Sequence, residues 1–293
     1  MRLLATSVGL ILVAAAPLIG EQSAATRRLV SARELSAQLD KPAIVVLHVA
    51  EDVADYTRAH IPGARFVRYG SVAASGADNL GAELPPETTL EALFEGVGVS
   101  DTSHVVIYGH TVLASRVFFT LDVLGHQNVA ILDGGLKTWQ AEGGGIDSGP
   151  DRATTRGRAA FTPRLNPERL ATADWIRANT ARIALVDVRP DPEFTGSDGG
   201  GGMHAAGHIE GASQLPWNAL VDGEGRFLPD DQLRARLQAA GAVPGKPVVP
   251  YCMIGMRASV VYFVSRHLGL DARLYDGSIV DWGRRQLPTK TGR

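Results

Sequence analysis

The sequence predicts an α/β protein made of two tandem domains, each a mostly parallel sheet with helices on both faces. Its length of 293 residues favours two domains, at about 100–200 residues per domain. The second half of the chain repeats motifs of the first half in the same order. β-Branched runs such as residues 44–47 and 183–188 alternate with stretches of helical spacing such as 230–240 and 258–268, which is typical of strands covered by helices. Folds of this class bind ligands at the carboxyl ends of their strands.

The repeated motifs keep a nearly constant spacing. Residues 60–64 (His-Ile-Pro-Gly-Ala) recur as residues 208–212 (His-Ile-Glu-Gly-Ala), 148 positions further on (208 minus 60). Three other features recur at an offset of 143 (251 minus 108): the strand-like run before Tyr108 and Tyr251, the Asp-Gly pair at Asp133 and Asp276, and a tryptophan, Trp139 and Trp282. An offset of this length indicates a duplicated domain rather than a solenoid repeat.

These observations predict the domain boundaries. The first domain spans residues 29–145 and the second spans residues 166–290. Residues 146–165 are predicted to be a linker, because this stretch contains Gly, Arg, Ser, Thr and two prolines and has no apolar period.

The N-terminus is typical of a targeting segment. Arg2 precedes an almost wholly apolar run over residues 3–19, and small residues follow at 23–25. We therefore predict a signal peptide over residues 1–25 and a periplasmic or secreted protein, with an uncleaved N-terminal anchor as the alternative. No second apolar run of that length follows, so we expect no stable membrane span after cleavage. The net charge of -2 and the mixed charges exclude a nucleic-acid footprint, and we expect a monomer.

Cys252 is the only cysteine of the chain. It cannot close an internal disulfide, so its thiol is either reactive or buried and inert. It follows the predicted strand 246–251 and precedes a predicted helix that begins near Ala258. The positive end of that helix, the loop N–H groups and the Arg257 guanidinium would stabilise a thiolate, and Gly255 tolerates unusual backbone dihedrals. The position therefore predicts a thiolate nucleophile in an anion cradle.

Taken together, the motifs resemble the rhodanese family. The resemblance covers roughly residues 29–287 and rests on the duplication and on four motifs of the second half: Asp187-Val188-Arg189, the Gly-His-Ile-Glu-Gly-Ala run at 207–212, Tyr251-Cys252 with its six-residue loop, and Tyr275-Asp276-Gly277-Ser278 followed by Trp282. Tandem members of this family are thiosulfate or 3-mercaptopyruvate sulfurtransferases. The resemblance implies an active site in the cleft between the domains.

The family pattern assigns the chemistry to the second domain alone. When Tyr108 is aligned with Tyr251, the position of Cys252 is taken by Gly109, which offers no nucleophile, and His48-Val49-Ala50 replaces Asp-Val-Arg. The resemblance implies that the first domain is catalytically silent. It also implies a ping-pong reaction in which Cys252 takes a sulfur atom as a persulfide and passes it to cyanide or a thiol.

The predicted substrate site surrounds Cys252. Its members are the loop residues and two cations: Met253, Ile254, Gly255, Met256, Arg257 and Arg189. Arginine recognises oxyanions well, so the two cations favour the dianion thiosulfate. A structural ion pair with Asp187 or Glu193 is the alternative role for Arg189. The expected partners are a small-molecule sulfur donor and a thiophilic acceptor, with no metal and no organic cofactor.

The sequence suggests three alternatives to thiosulfate sulfurtransferase activity. The loop of 3-mercaptopyruvate enzymes is typically Cys-Gly-Ser-Gly-Val-Thr, which lacks a cation, but the two loop methionines keep that activity open. A persulfide carrier or redox-sensing module without useful turnover is the alternative of another class. Cysteine phosphatases and arsenate reductases place five residues between Cys and Arg, whereas residues 253–256 here are four.

Overall fold

The structure is a computed structural model that describes residues 28–74, 81–150, 159–198 and 206–293. The predicted signal peptide, residues 1–25, and the middle of the predicted linker, residues 151–158, lie outside the described residues. Among the residues described, no helix combines the length and the apolar character that crossing a bilayer requires.

The first domain contains a parallel sheet of five strands. The strands are β1 (Leu29–Val30), β2 (Ile44–Ala50), β3 (Arg65–Arg68), β4 (His104–Gly109) and β5 (Val129–Leu132), and they lie in the order β1-β5-β4-β2-β3. The helices are α1 (Ala32–Ser36), α2 (Val53–Arg58), α3 (Glu87–Gly96), α4 (Thr111–Val123) and α5 (Gly135–Ala141). Successive side chains of a strand point to opposite faces. Leu47 accordingly packs with α3 and α4 on one face, and Val46 packs with α1, α2 and α5 on the other.

The second domain repeats this arrangement. Its strands are β6 (Ala184–Asp187), β7 (His208–Ile209), β8 (Ser213–Gln214), β9 (Val248–Tyr251) and β10 (Thr289–Lys290), and its helices are α6 (Ala173–Asn179), α7 (Asp191–Thr195), α8 (Asp230–Ala239), α9 (Ala258–His267) and α10 (Ser278–Arg284). The parallel sheet β8-β6-β9 continues through parallel bridges of Val248 with Ala272 and of Leu170 with Leu274. Helices α8 and α9 cover one face, and α6 and α10 cover the other. The predicted fold class is confirmed, and so are the helices predicted over 230–240 and 258–268.

The repeated His-Ile motif has a structural role in both domains. The backbone N–H of Ile61 donates to the hydroxyl of Tyr108 at 3.0 Å, and that of Ile209 donates to the hydroxyl of Tyr251 at 3.0 Å. The histidine before each isoleucine is buried and stacks on an aromatic ring, and its Nδ1 lies 2.8–2.9 Å from a backbone carbonyl oxygen. Since a carbonyl only accepts, Nδ1 carries the proton in each case.

The two domains pack through α4 and α9. Phe118 meets Phe263 edge to face with ring centroids 4.9 Å apart, and Phe119 meets Tyr262 in the same way at 5.0 Å. Such pairs add specific geometry to the burial of apolar area. The buried carboxylate of Asp122 completes the interface, because it accepts hydrogen bonds from Tyr262 at 2.6 Å and from Arg266 at 2.9 Å.

The contacts between the domains are reciprocal. Asp133 of the first domain accepts the backbone N–H of Phe227 at 2.9 Å, and Asp276 of the second accepts the backbone N–H of Leu84 at 3.1 Å. Both residue pairs, 133 with 276 and 84 with 227, are separated by the offset of the duplication. Reciprocal contacts of this kind are what a two-fold relation between two copies produces.

The described parts of the predicted linker lie against the first domain. Asp147 pairs with His60 through an antiparallel bridge, and the backbone N–H of Gly149 donates to the carbonyl of Thr57 at 2.8 Å. On the other side of residues 151–158, Phe161 is buried beside Phe94, with ring centroids 5.8 Å apart.

Candidate active site

Cys252 lies where the sequence places it, between the end of β9 and the start of α9. It is only 1% exposed. Its backbone N–H donates to Oγ of Ser278 at 3.1 Å, and that hydroxyl donates in turn to the carbonyl of Tyr275 at 2.8 Å. Ser278 adopts a positive φ of 53°, an uncommon conformation for a residue with a side chain. This side chain therefore fixes the start of the cysteine loop.

The loop after Cys252 presents unpaired amides. Within the described part of the chain, the N–H groups of residues 253–258 donate to no other protein group. Helix α9 begins at Ala258 without any side-chain cap. An uncapped helix N-terminus carries partial positive charge and exposes N–H donors to an anion. The geometry agrees with the predicted anion cradle around the sulfur.

Gly255 is required at its position by the shape of the loop. Its φ is 83°, in the left-handed region, as the sequence analysis expected from a glycine in this loop. A Cβ at this position would lie 2.4 Å from Oδ1 and 2.6 Å from the backbone O of Asp276. The loop therefore packs directly on the Asp276 turn, which only a residue without a side chain permits.

Arg257 is the cation of the cysteine loop, and it is already paired with a carboxylate. Its Nη1 and Nη2 donate to the two carboxylate oxygens of Glu193 on α7 at 2.7 and 2.8 Å. Burial lowers the pKa of Arg257, but the hydrogen bonds to Glu193 and the negative charge of a Cys252 thiolate outweigh it and raise that pKa. The ion pair of Arg257 with Glu193 was not predicted from the sequence, which indicated Glu193 only as an alternative partner of Arg189.

Arg189 forms the ion pair that was the alternative to a substrate-binding role. Its guanidinium donates to Asp187 through Nε at 2.9 Å and Nη2 at 2.6 Å, and Nη2 also donates to the carbonyl of Gly207 at 2.7 Å. Both side chains of the pair are fully buried. Glu193, the other partner considered for Arg189, binds Arg257 instead. Only Nη1 of Arg189 has no partner among the described residues. Arg189 thus forms a fully buried structural ion pair and is not exposed to a substrate.

The remaining predicted site residues line the cysteine loop with apolar atoms. Met253, Ile254 and Met256 are each partly buried, and Gly255 is buried. A Cβ at Gly81 of the first domain would lie 4.0 Å from Cδ1 of Ile254. The loop therefore faces the other domain, which agrees with a site in the cleft between the domains.

Arg116 of the first domain binds the Asp276 turn on which the cysteine loop packs. Arg116 was not predicted from the sequence. This fully buried guanidinium donates to Asp276 through Nη1 at 2.5 Å and Nη2 at 3.1 Å, and to the carbonyls of Ala82 at 2.6 Å and Val72 at 3.4 Å. Asp276 belongs to the Asp-Gly pair that recurs in both domains. Its recurrence as Asp133 could have indicated a role in domain packing, because both carboxylates bind a backbone N–H of the opposite domain.

The equivalent loop of the first domain, which follows Tyr108, is closed by its own residues. Gly109, at the position of Cys252, has a φ of 148°, and a Cβ there would lie 2.2 Å from the carbonyl oxygen of Val49. The ring of His110, at the position of Met253, accepts the N–H of Val112 and so caps α4. The corresponding helix start in the second domain is left open, so only that domain keeps a cradle.

Comparison with known proteins agrees with this geometry. A family model described as a rhodanese-like domain matches the chain twice, over residues 31–142 and 172–285. The chain belongs to the rhodanese family. The first rhodanese match contains the loop after Tyr108, and the second contains the cysteine loop after Tyr251. The resemblance inferred from the motifs is thereby confirmed.

The relatives of this rhodanese align along both domains. Sulfur carrier protein TtuD of Thermus thermophilus is 31% identical over 269 residues, which cover 87% of this chain and 93% of that protein. Thiosulfate sulfurtransferase of Azotobacter vinelandii is 30% identical over 269 residues, covering 85% and 92%. The crystal structure of SseA from Escherichia coli, a 3-mercaptopyruvate enzyme, superimposes with a TM-score of 0.76 at 28% identity, covering 86% of this chain and 99% of that one.

Proposed function

We propose that this rhodanese is a sulfurtransferase that takes sulfur from thiosulfate and carries it on Cys252 as a persulfide. The observation that carries the proposal is the cradle itself: the only thiol of the chain lies at an uncapped helix start, beside unpaired loop amides and Arg257. Groups of this kind stabilise a sulfur anion. The thiosulfate sulfurtransferase of Azotobacter vinelandii, which aligns over both domains, supports the same activity.

The proposed reaction has two balanced steps. The Cys252 thiolate attacks the outer sulfur of thiosulfate, a new S–S bond forms, and the S–S bond of thiosulfate breaks with its electron pair leaving on sulfite. Cyanide or a thiolate then attacks the outer sulfur of the persulfide, and the Cys252 thiolate leaves. The loop amides hold the sulfur anion in both states, and Arg257 attracts the dianionic sulfur donor.

Two observations favour a second candidate, a persulfide carrier that delivers its sulfur to another protein. The side chains of Met253, Ile254 and Met256 beside Cys252 are apolar, which suits a protein surface as the acceptor better than a small anion. One of the aligned relatives, TtuD, is a sulfur carrier protein. A carrier uses the same cradle and differs in what removes the sulfur.

Steady-state assays with cyanide as the acceptor separate these functions. The main proposal predicts ping-pong kinetics and a higher kcat/KM for thiosulfate than for 3-mercaptopyruvate, because Arg257 interacts more strongly with a dianion. A preference for 3-mercaptopyruvate would overturn the choice of thiosulfate and assign the activity of the SseA type. A protein that loads sulfur from thiosulfate but does not form thiocyanate with turnover would support the carrier function.

A further inference from the structure

Tyr69 of the first domain packs against a hydrophobic cluster that spans both domains. It begins a 3-10 turn at the end of β3, Tyr69–Ser71, and its side chain packs against the hydrophobic cluster that contains Val72 and Cys252. The carbonyl of Val72 accepts a hydrogen bond from Arg116, and Arg116 binds Asp276, on which the loop packs. The turn that carries Tyr69 is thus tied to the site through a chain of direct contacts.

The hydroxyl of Tyr69 differs from those of the other tyrosines because it has no hydrogen-bond partner among the described residues. The chain has six, all described, and the other five each have a hydrogen-bond partner for their hydroxyl oxygen: Tyr56, Tyr108, Tyr251, Tyr262 and Tyr275. Oη of Tyr69 is buried and contacts no hydrogen-bond partner among the described residues. Because burying an unpaired hydroxyl destabilises a protein, such a group calls for a ligand or a functional reason.

The surroundings keep this hydroxyl protonated. Burial raises the pKa of Tyr69 well above its ordinary value; Arg116 opposes the shift, while the charges of Asp276 and of a Cys252 thiolate add to it. Asp276 also packs on the cysteine loop and binds Arg116, so the phenol and the loop both interact with this one carboxylate. A neutral phenol offers one O–H to a ligand without bringing a charge into the site.

We propose that the Tyr69 hydroxyl donates a hydrogen bond to the outer sulfur carried by Cys252. The inference rests on the proposed persulfide function and deepens it, because it assigns the first domain a direct contact with the reacting atom. No proton is transferred: the O–H of Tyr69 stays intact and finds its partner only when the outer sulfur anion is present. Hydrogen bonds to charged groups are stronger than neutral ones, so the contact favours the loaded state.

The test measures the loading equilibrium rather than a rate. Sulfite reverses loading, so the ratio of thiosulfate to sulfite at which half the protein carries sulfur, read by intact mass, reports the stability of the persulfide. Tyr69→Phe should raise that ratio by roughly 10-fold to 100-fold, the loss expected for one hydrogen bond to a charged group. Tyr56→Phe is the matched control, because the Tyr56 hydroxyl bonds to the carbonyl of Ala64 within the first domain.

Thermal unfolding supplies the second readout. Tyr69→Phe removes an unpaired buried hydroxyl, so the melting temperature of the unloaded protein should hold or rise, whereas Tyr56→Phe breaks an existing hydrogen bond and should lower it. An unchanged loading ratio in Tyr69→Phe, or an equal shift in Tyr56→Phe, overturns the inference while leaving the proposed function standing. A wild-type protein that takes up no sulfur overturns both together.

Discussion

At the scale of single residues, the charge around Cys252 depends on one ion pair. Arg257 is the last residue of the cysteine loop, and Glu193 binds both Nη atoms of its guanidinium. The carboxylate orients the cation and also offsets part of its charge. The positive potential that a thiosulfate dianion meets is therefore smaller than Arg257 alone would produce.

This ion pair predicts opposite effects for its two members. Arg257→Ala should slow sulfur loading from thiosulfate by roughly 10-fold to 100-fold, as the loss of a charge-assisted contact does. Glu193→Gln should lower the KM for thiosulfate, because it removes a negative charge and leaves the cation in place. Steady-state kinetics with both sulfur donors measure the effect, and 3-mercaptopyruvate, with its single carboxylate, should respond less. An unchanged rate in Arg257→Ala would remove this residue from the site.

The sequence could predict Cys252, Gly255 and Arg257 because they are close together in one loop. Glu193 was not foreseen as the partner of Arg257, since 64 positions separate them and only the fold brings α7 to the loop. Arg116 and Asp276 are 160 positions apart. Contacts over such separations leave no local pattern. Nor does the sequence around Tyr69 indicate that its hydroxyl has no hydrogen-bond partner among the described residues.

At the scale of elements, the strand-to-helix connections of the two domains differ. The segment from β9 to α9 leaves its helix start open. The equivalent segment from β4 to α4 is capped by the ring of His110 and begins with Gly109 in a conformation that excludes a side chain. The first domain therefore lacks both a cysteine at this position and the room for its side chain.

A cysteine placed at Gly109, in the loop of the first domain that is equivalent to the cysteine loop, should not create a second sulfur site. Gly109→Cys in a Cys252→Ser background should take up no sulfur from thiosulfate, by intact mass. Strain at a position that requires a positive φ should lower the free energy of unfolding by about 1–3 kcal/mol, or more because the Cβ also meets a backbone carbonyl. Denaturant unfolding measures this loss. Uptake of sulfur by this variant would show that the loop conformation does not control reactivity.

At the scale of the whole molecule, the domains complete each other. Asp133 and Asp276 each bind a backbone N–H of the opposite domain, and Arg116 of the first domain supports the turn under the second domain's loop. The duplication in the sequence predicted two copies of one α/β fold, which the structure confirms. How the copies would pack was not readable from either copy alone, because it depends on side chains of both that meet only after folding.

The most direct test of the account is the fate of one sulfur atom. Wild-type protein incubated with thiosulfate and freed of the reagent should gain the mass of one sulfur atom, and cyanide should remove that gain and release thiocyanate. Cys252→Ser should show neither change while unfolding as cooperatively as the wild type. A wild-type protein that gains no mass, or a Cys252→Ser variant that still gains it, would contradict the assignment of Cys252 as the sulfur-carrying residue.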